Sequence, residues 1–315
     1  MRSLCFERPQ NVRLVDVPVP EPGTGEALVR IEASGICGSE LEAPAGSNPG
    51  HEAAGVVERI CGESAFAVGE RVGVSAVVGC GGCAYCQAGE QVYCRTVTVL
   101  SGLHADYAAV PVAALRRLPP GTSADDAVLL TGDACGVPIR ALHRVPTPPS
   151  GRVAVIGLGP VGLAHVLVRA HLGAHVIGIE PSPYRRELAA RLGATAVIEP
   201  GAGLPWPPDL VIESTGVPHC IRQALAMAAP GGTVLQSGWC TEVRVDPAAT
   251  VLRNEVGYTG TWYYADSDYP GMVELYESGL PVSAMVTHRF EAAEISSAYR
   301  RFVAKESGKV VLRWS

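Results

Sequence analysis

At 315 residues, with 47% apolar and 18% charged side chains, the chain is long enough for two cores and lacks the composition of a disordered protein. Its net charge of −6, with the basic residues scattered rather than clustered, argues against nucleic acid or an anionic membrane as the main partner. No uninterrupted apolar run approaches the roughly 18 residues that a membrane-spanning helix needs.

Arg2, Glu7 and Arg8 interrupt the N-terminus too early for the apolar core of a leader peptide, so a cytoplasmic location is expected. In that setting ten cysteines point to metal binding or catalysis rather than to a disulfide framework.

In chain order, the first 120 or so residues read as short β-segments broken by Gly and Pro. Ala27–Ile31, Gly55–Arg59 and Glu70–Val74 are examples, and they suggest a small barrel or sandwich. After Thr147-Pro-Pro-Ser-Gly151 the character changes. Val153–Ile156 reads as a buried parallel strand, followed by a helix from about Val161 to Leu172 and a strand at His175–Ile179. The alternation continues through a helix at Pro183–Leu192, strands at Ala196–Ile198 and Asp209–Glu213, a helix at Cys220–Ala229 and a strand at Thr233–Gln236. Such alternation predicts a doubly wound α/β domain. A helix at Tyr269–Ser278 and a strand at Lys309–Leu312 close the chain.

Two motifs carry chemistry on their spacing. Cys80, Cys83, Cys86 and Cys94 form C-x2-C-x2-C-x7-C, which can close a tetrahedral thiolate shell around a structural Zn²⁺ and leave no open position. Gly157-Leu-Gly159-Pro160-Val161-Gly162 follows a predicted strand and opens a predicted helix, the context of a dinucleotide-binding turn. Glu180 ends the next strand, where a carboxylate accepts ribose hydroxyls and repels a 2′-phosphate, favouring NAD over NADP. Arg185 is a candidate for the adenosine side, whereas Arg186 reads as part of a solvated helix face. Cys37 and His51 are a plausible thiolate and imidazole pair for a second, catalytic zinc. Cys5, Cys61, Cys220 and Cys240 are isolated and read as small buried apolar residues. His104, His143, His165, His171, His175 and His219 have no motif partners and read as structural or exposed.

In Gly35-Ile-Cys37-Gly-Ser39-Glu40, Gly50-His51-Glu52, the four-cysteine lobe and the Gly157–Gly162 loop, in that order, the chain resembles the medium-chain zinc-dependent alcohol and polyol dehydrogenases. Glu213-Ser-Thr215-Gly216 and Thr287-His-Arg-Phe290 also resemble family segments. The resemblance implies an α/β protein with a GroES-like, β-rich catalytic domain (residues 1–135 and 266–315) and a Rossmann NAD-binding domain (136–265). It implies two zinc ions per chain, NAD as hydride acceptor, a small-molecule alcohol or ketone as substrate, and a homodimer or homotetramer built through the edge strand near Val256–Gly260.

It also places the third ligand of the catalytic zinc at Asp133, with Cys135 as the competitor. Glu52 is then an occasional fourth ligand or a support of the shell. Ser39 corresponds to a hydroxyl that relays the alcohol proton, Glu40 to a partner of the metal shell, and Thr215 and Gly216 to the cofactor loop. The chain departs from its relatives at Glu42 and Arg140, where histidines are frequent, and in the short segment between Cys37 and His51. Thr259–Tyr264 is expected near the nicotinamide, its aromatics either lining a sugar-like pocket or packing the domain junction. A secondary alcohol of polyol, cyclitol or sugar type is the expected substrate. The rivals are a zinc-free quinone or enoyl reductase and a non-catalytic NAD- and zinc-binding relative.

Overall fold

Ala27, Leu28, Val29, Ile31 and Ala33 are all buried on the strand Glu26–Gly35, which is covered on both faces and sits centrally in a seven-stranded sheet. The computed structural model describes residues 1–8 and 11–314. It divides into one unit of Met1–Gly136 with Tyr263–Ser315 and another of Val137–Trp262.

In the first unit the sheet runs Val286–Glu291, Lys309–Arg313, Glu26–Gly35, Ala53–Cys61, Arg71–Val74, Leu115–Arg117, with Tyr107–Pro111 also paired to Glu26–Gly35. All pairings are antiparallel except that of Val286–Glu291 with Lys309–Arg313. The register sets Ser34 opposite Ala53 and Val311 opposite Gly35. The Gly35 N–H then donates to the Glu52 carbonyl at 2.9 Å and the Ile36 N–H to the Val310 carbonyl at 3.0 Å. Two strand ends thereby bring Cys37 and His51 together. The helix Ala124–Thr131 starts at Ser123, whose side chain accepts from the Asp126 N–H. Its buried Asp125 is gripped by Arg289 at 2.6 Å and Arg313 at 2.5 Å, both on strands of the sheet.

The second unit is a parallel sheet in the order Ala196–Ile198, His175–Ile179, Arg152–Ile156, Leu210–Glu213, Thr233–Gln236, Gly257–Gly260. Counted along the chain this is 3-2-1-4-5-6, with the topological switch beside Arg152–Ile156, where ligands bind outside the strand C-termini. Helices Pro160–His171, Pro183–Arg191 and Pro218–Met227 each begin with proline at the first turn, where the missing N–H costs nothing. Arg169 is fully buried, and its guanidinium donates to the carbonyls of Ala141 and Val145, neutralising the end of the helix Asp133–Arg144. His165 on the same helix is also fully buried, and burial, then the Arg169 charge, lower its pKa to about 3.

Three sequence readings need correction. Cys5, Cys61, Cys220 and Cys240 are half-exposed rather than buried. Arg186 is not on a solvated face, because its guanidinium donates to the carbonyls of Glu180 and Pro181 and pairs with Glu199 at 2.7 Å. His104 is a buried structural residue, with partners described below. The helix expected at Cys220–Ala229 begins two residues earlier, since Pro218 fits its first turn.

Candidate active site

Cys37 Sγ, His51 Nε2 and an Asp133 carboxylate oxygen lie within 4.8 Å of one another. Asp133 Oδ2 stands 3.3 Å from His51 Nε2 and 3.9 Å from Cys37 Sγ. Asp133 can come this close because Gly132 precedes it: a Cβ there would press on the Val128 carbonyl at 2.7 Å and the Glu52 side chain at 2.8 Å. His51 Nδ1 lies 3.0 Å from the Pro49 carbonyl oxygen. A carbonyl only accepts, so Nδ1 carries a proton, and Nε2 faces Cys37 and Asp133, where it donates to the Asp133 carboxylate when protonated and would offer its lone pair to a metal ion. Burial opposes charge on His51, but the Asp133 carboxylate and the Cys37 sulfur outweigh it and hold the ring well above the ordinary histidine range. The cluster therefore favours positive charge at its centre. A thiolate, an imidazole and a carboxylate form a donor set that Zn²⁺ accepts, with one tetrahedral position left over.

Cys135, the alternative third ligand, is outside this group. It is fully buried, and burial, then the Glu52 charge, push its thiol up to about 12. Glu52 also stands outside it: one oxygen accepts the Ala134 N–H at 3.1 Å and the other pairs with Lys309. Burial works against charge on that lysine, and the Glu52 carboxylate, followed by the Cys37 sulfur, keeps it protonated. Glu52 thus braces the start of the Asp133 helix.

A second layer lies behind His51. Glu40 is fully buried on the turn Gly38–Glu42, and its carboxylate accepts from the Cys37 N–H at 3.2 Å and the Tyr299 hydroxyl at 2.5 Å. It also meets His104 Nε2 at 3.2 Å and lies 3.7 Å from His51 Nδ1. Burial disfavours its ionisation, but the His104 ring, by charge and hydrogen bond, overcomes this with help from His51 and Tyr299, and the pKa falls. Beyond His104, Nδ1 meets Ser34 Oγ at 2.7 Å, and Ser34 accepts from the Trp314 indole at 2.8 Å. Polar groups buried this deeply persist only when each is satisfied, and this chain fixes the orientation of both ligand-bearing turns. Ser39 is exposed, and its hydroxyl donates to Cys37 Sγ at 3.3 Å.

The ring of Tyr263 meets that of His51 edge-on, with centroids 6.3 Å apart. Its neighbour Tyr264 is buried, donates its hydroxyl to the Thr131 carbonyl at 2.9 Å, and fills the space that a Cβ on Gly136 would need.

Cys80, Cys83, Cys86 and Cys94 form a second cluster, on a lobe whose only α-helix is the single turn Ala84–Gln87. The Thr96 hydroxyl, then the Cys80 N–H, lower the Cys94 thiol to about 6.

In the second unit Gly157 adopts φ 85° and Gly159 leaves open space where a Cβ would be, while a Cβ on Gly162 would overlap the Gly157 carbonyl oxygen. The bare surface at Gly159 lies at the start of the helix Pro160–His171, where free N–H groups suit a pyrophosphate. Glu180 accepts from the N–H groups of Leu158 at 2.8 Å and Ser182 at 3.0 Å. These use half the lone-pair sites of a carboxylate and leave the rest for hydroxyl donors. Arg185 is buried, and burial lowers its pKa against the pull of Glu180.

Residues 23–120 match the family described as alcohol dehydrogenase GroES-like domain, and residues 160–278 match zinc-binding dehydrogenase. The chain is 29% identical to an L-threonine 3-dehydrogenase of Chromobacterium violaceum, over 96% of both sequences. Among solved structures it resembles the alcohol dehydrogenase TADH from Thermus sp. ATN1, at 30% identity with a TM-score of 0.89 over 99% of both chains. It belongs to the zinc-dependent medium-chain alcohol and polyol dehydrogenase family. The alcohol dehydrogenase rspB of Escherichia coli CFT073, crystallised with NADH, is 26% identical with a TM-score of 0.88, each chain covered to 99%.

Two residues around the candidate site escaped sequence reading. His104 and Tyr299 hold Glu40 across long stretches of chain and lie in no motif. Glu213, read as a strand end that opens a family-like segment, accepts from the Thr215 N–H at 2.7 Å, the Thr215 hydroxyl and the Gly216 N–H at 3.1 Å, and so shapes the loop at the switch point.

Proposed function

We propose that this dehydrogenase oxidises a secondary alcohol carrying a neighbouring polar group, or reduces the corresponding ketone, with NAD. The observation that carries the proposal is the buried Cys37–His51–Asp133 triad, a three-ligand set separate from a complete four-cysteine set. Bound at the triad, zinc supplies Lewis-acid stabilisation of negative charge on an oxygen, while nicotinamide supplies the hydride acceptor.

The chain's own residues do the rest. Cys37, His51 and Asp133 hold the ion, and Cys80, Cys83, Cys86 and Cys94 hold the second. Glu40 orients His51 and the Cys37 turn, and Glu52 with Lys309 keeps the base of the site neutral. Ser39, exposed beside Cys37, passes the alcohol proton toward solvent. Gly157, Gly159, Pro160, Val161 and Gly162 receive the pyrophosphate, Glu180 the adenosine ribose, and Thr215 and Gly216 border the cofactor.

NAD rather than NADP is supported by the negative charge of Glu180 and by the commitment of Arg186 to backbone carbonyls and Glu199. The L-threonine 3-dehydrogenase relatives act, by their name, on a secondary alcohol beside polar groups, which supports the substrate class. The edge strand Gly257–Gly260 supports pairing with a second copy. Among the described residues no helix is long and apolar enough to cross a membrane, and we place the enzyme in the cytoplasm.

The test is NADH formation with a panel of sec-butanol, its vicinal diol, L-threonine, sorbitol and inositol. Turnover with at least one polar secondary alcohol is expected, with NAD preferred over NADP by roughly 100-fold, the size of a like-charge clash. NADH binding without turnover across the panel sinks the enzymatic reading and favours a non-catalytic family member. Gly162→Ala is expected to weaken NADH binding by roughly 100-fold in a fluorescence titration while zinc content stays at the wild-type value, because the added methyl displaces the Gly157 carbonyl.

A further inference from the structure

The segment Thr287–Phe290 resembles a family segment, yet it belongs to neither cysteine-containing cluster and lies outside the unit that carries the pyrophosphate turn. It sits on the strand Val286–Glu291, at the edge of the seven-stranded sheet. Arg289 pairs with Asp125, while His288 and Phe290 on either side of it stack their rings, with centroids 6.2 Å apart and planes 8° from parallel. Burial, then the Arg301 charge, lower the pKa of His288, so at neutral pH this pair of rings is uncharged.

The helix Ile295–Val303 packs into the core through Ile295, Ala298, Tyr299 and Phe302. Ser297, Arg300, Arg301 and Ala304 repeat the same i, i+3, i+4, i+7 spacing two residues on, and so form a second stripe. With Phe290 and Glu306 that stripe lines a cavity of about 350 Å³. Two guanidinium groups thus meet one carboxylate in a cleft on a chain whose net charge is −6.

Arg300 donates to Ser297 Oγ at 2.9 Å, and Arg301 pairs with Glu306 at 2.5 Å. Cations in the last turn also offset a helix dipole, but among the described residues neither guanidinium donates to a carbonyl there. Each guanidinium carries five N–H donors, and most of them remain for a ligand. The Arg301–Glu306 pair is half in solvent, and such a pair is weak enough to give way to a doubly charged anion. A carboxylate is filled by one arginine fork, whereas a phosphate has oxygens enough for two forks and a serine hydroxyl.

We propose that this cleft binds a phosphomonoester that carries an aromatic ring, its phosphate held by Arg300, Arg301 and Ser297 and its ring against Phe290. The volume, at the lower end for small-molecule sites, suits one ring and one phosphate rather than a dinucleotide. The site does not depend on the dehydrogenase reading.

The test is titration calorimetry of phenyl phosphate into the protein at low ionic strength, with NADH in excess to fill the cofactor turn. Arg300→Ala and Arg301→Ala are each expected to weaken binding about tenfold, the loss of a charge-assisted hydrogen bond. Both side chains are exposed, so these variants are expected to fold as the wild type does. Glu306→Gln, which frees Arg301, is expected to tighten binding about threefold. Inorganic phosphate is expected to bind the wild type roughly fivefold more weakly than phenyl phosphate, and Phe290→Leu to remove that difference. No binding of phenyl phosphate at about 10 mM, or binding unchanged in the Arg300→Ala Arg301→Ala double variant, overturns the inference. Equal affinity of the wild type for phenyl phosphate and inorganic phosphate overturns the role given to Phe290 and with it the ligand class.

Discussion

Replacing Cys37 with alanine is expected to lower zinc from two ions per chain to one and to cut alcohol oxidation by roughly 10³-fold or more. The size follows from the role. A Lewis acid contributes several kcal/mol to stabilising negative charge on oxygen, and no other group at the triad can replace it. Asp133 is negative, His51 is held by Asp133, and Lys309 is committed to Glu52. The fold should survive, because the sulfur leaves a small void and His51 with Asp133 can still pair in the metal-free site. Elemental analysis of both proteins, with thermal unfolding as control, checks this. One zinc in both the wild type and the variant would mean that only the four-cysteine cluster binds metal. The zinc-catalysed reading would then fail even if NADH still bound.

Why the triad could be read from Cys37 and His51, but not its surroundings, comes down to sequence distance. Gly157, Gly159 and Gly162 lie within one turn, and the four cysteines within one lobe, so local spacing reveals them. The strands Arg152–Ile156, His175–Ile179 and Leu210–Glu213 were legible because a strand buried on both faces must be a short apolar run. Asp133 needed the family resemblance, since it reaches His51 only through the close approach that Gly132 allows. Glu40 looked like a partner of the metal shell, but its own partners, His104 and Tyr299, lie 64 and 259 residues away. Only the pairing of strands brings them together. Lys309 looked like a strand residue and is buried as the partner of Glu52, 257 residues distant. Arg186 was misread for a related reason: its partners Glu180, Pro181 and Glu199 flank two different strands of the parallel sheet. The positive φ of Tyr263 has no local signature, because the residue type argues against it.

Removing one sulfur from the four-cysteine lobe, by Cys94→Ser, is expected to cost the second zinc and to open the lobe locally while the sheet stays folded. Apart from hydrogen bonds of Gly89, Glu90 and Gln91 to Asp266 and Ser267, little apolar packing holds this lobe. Cys80 is exposed, Cys83 and Cys86 are half-buried, and Tyr85 and Tyr93 keep 52% and 45% of their surface in solvent. Apolar burial is therefore small, and a bound ion would supply most of the free energy that orders the chain between Cys80 and Cys94. Loss of several kcal/mol of local stability corresponds to amide exchange at Gln91–Cys94 faster by roughly 10²- to 10³-fold. The consequence reaches the triad, because Gly89, Glu90 and Gln91 anchor Asp266 and Ser267, and that segment sets Tyr263 against His51. Released from the lobe, Tyr263 should relax from its left-handed backbone (φ 47°). The triad metal is expected to stay, because none of its three candidate ligands lies in the lobe. Hydrogen exchange across Ala265–Asp268 and zinc content, measured on one preparation, test each link. Retention of both zincs, or a mobile lobe with unchanged exchange at Ser267, would show that the four-cysteine cluster does not anchor this segment.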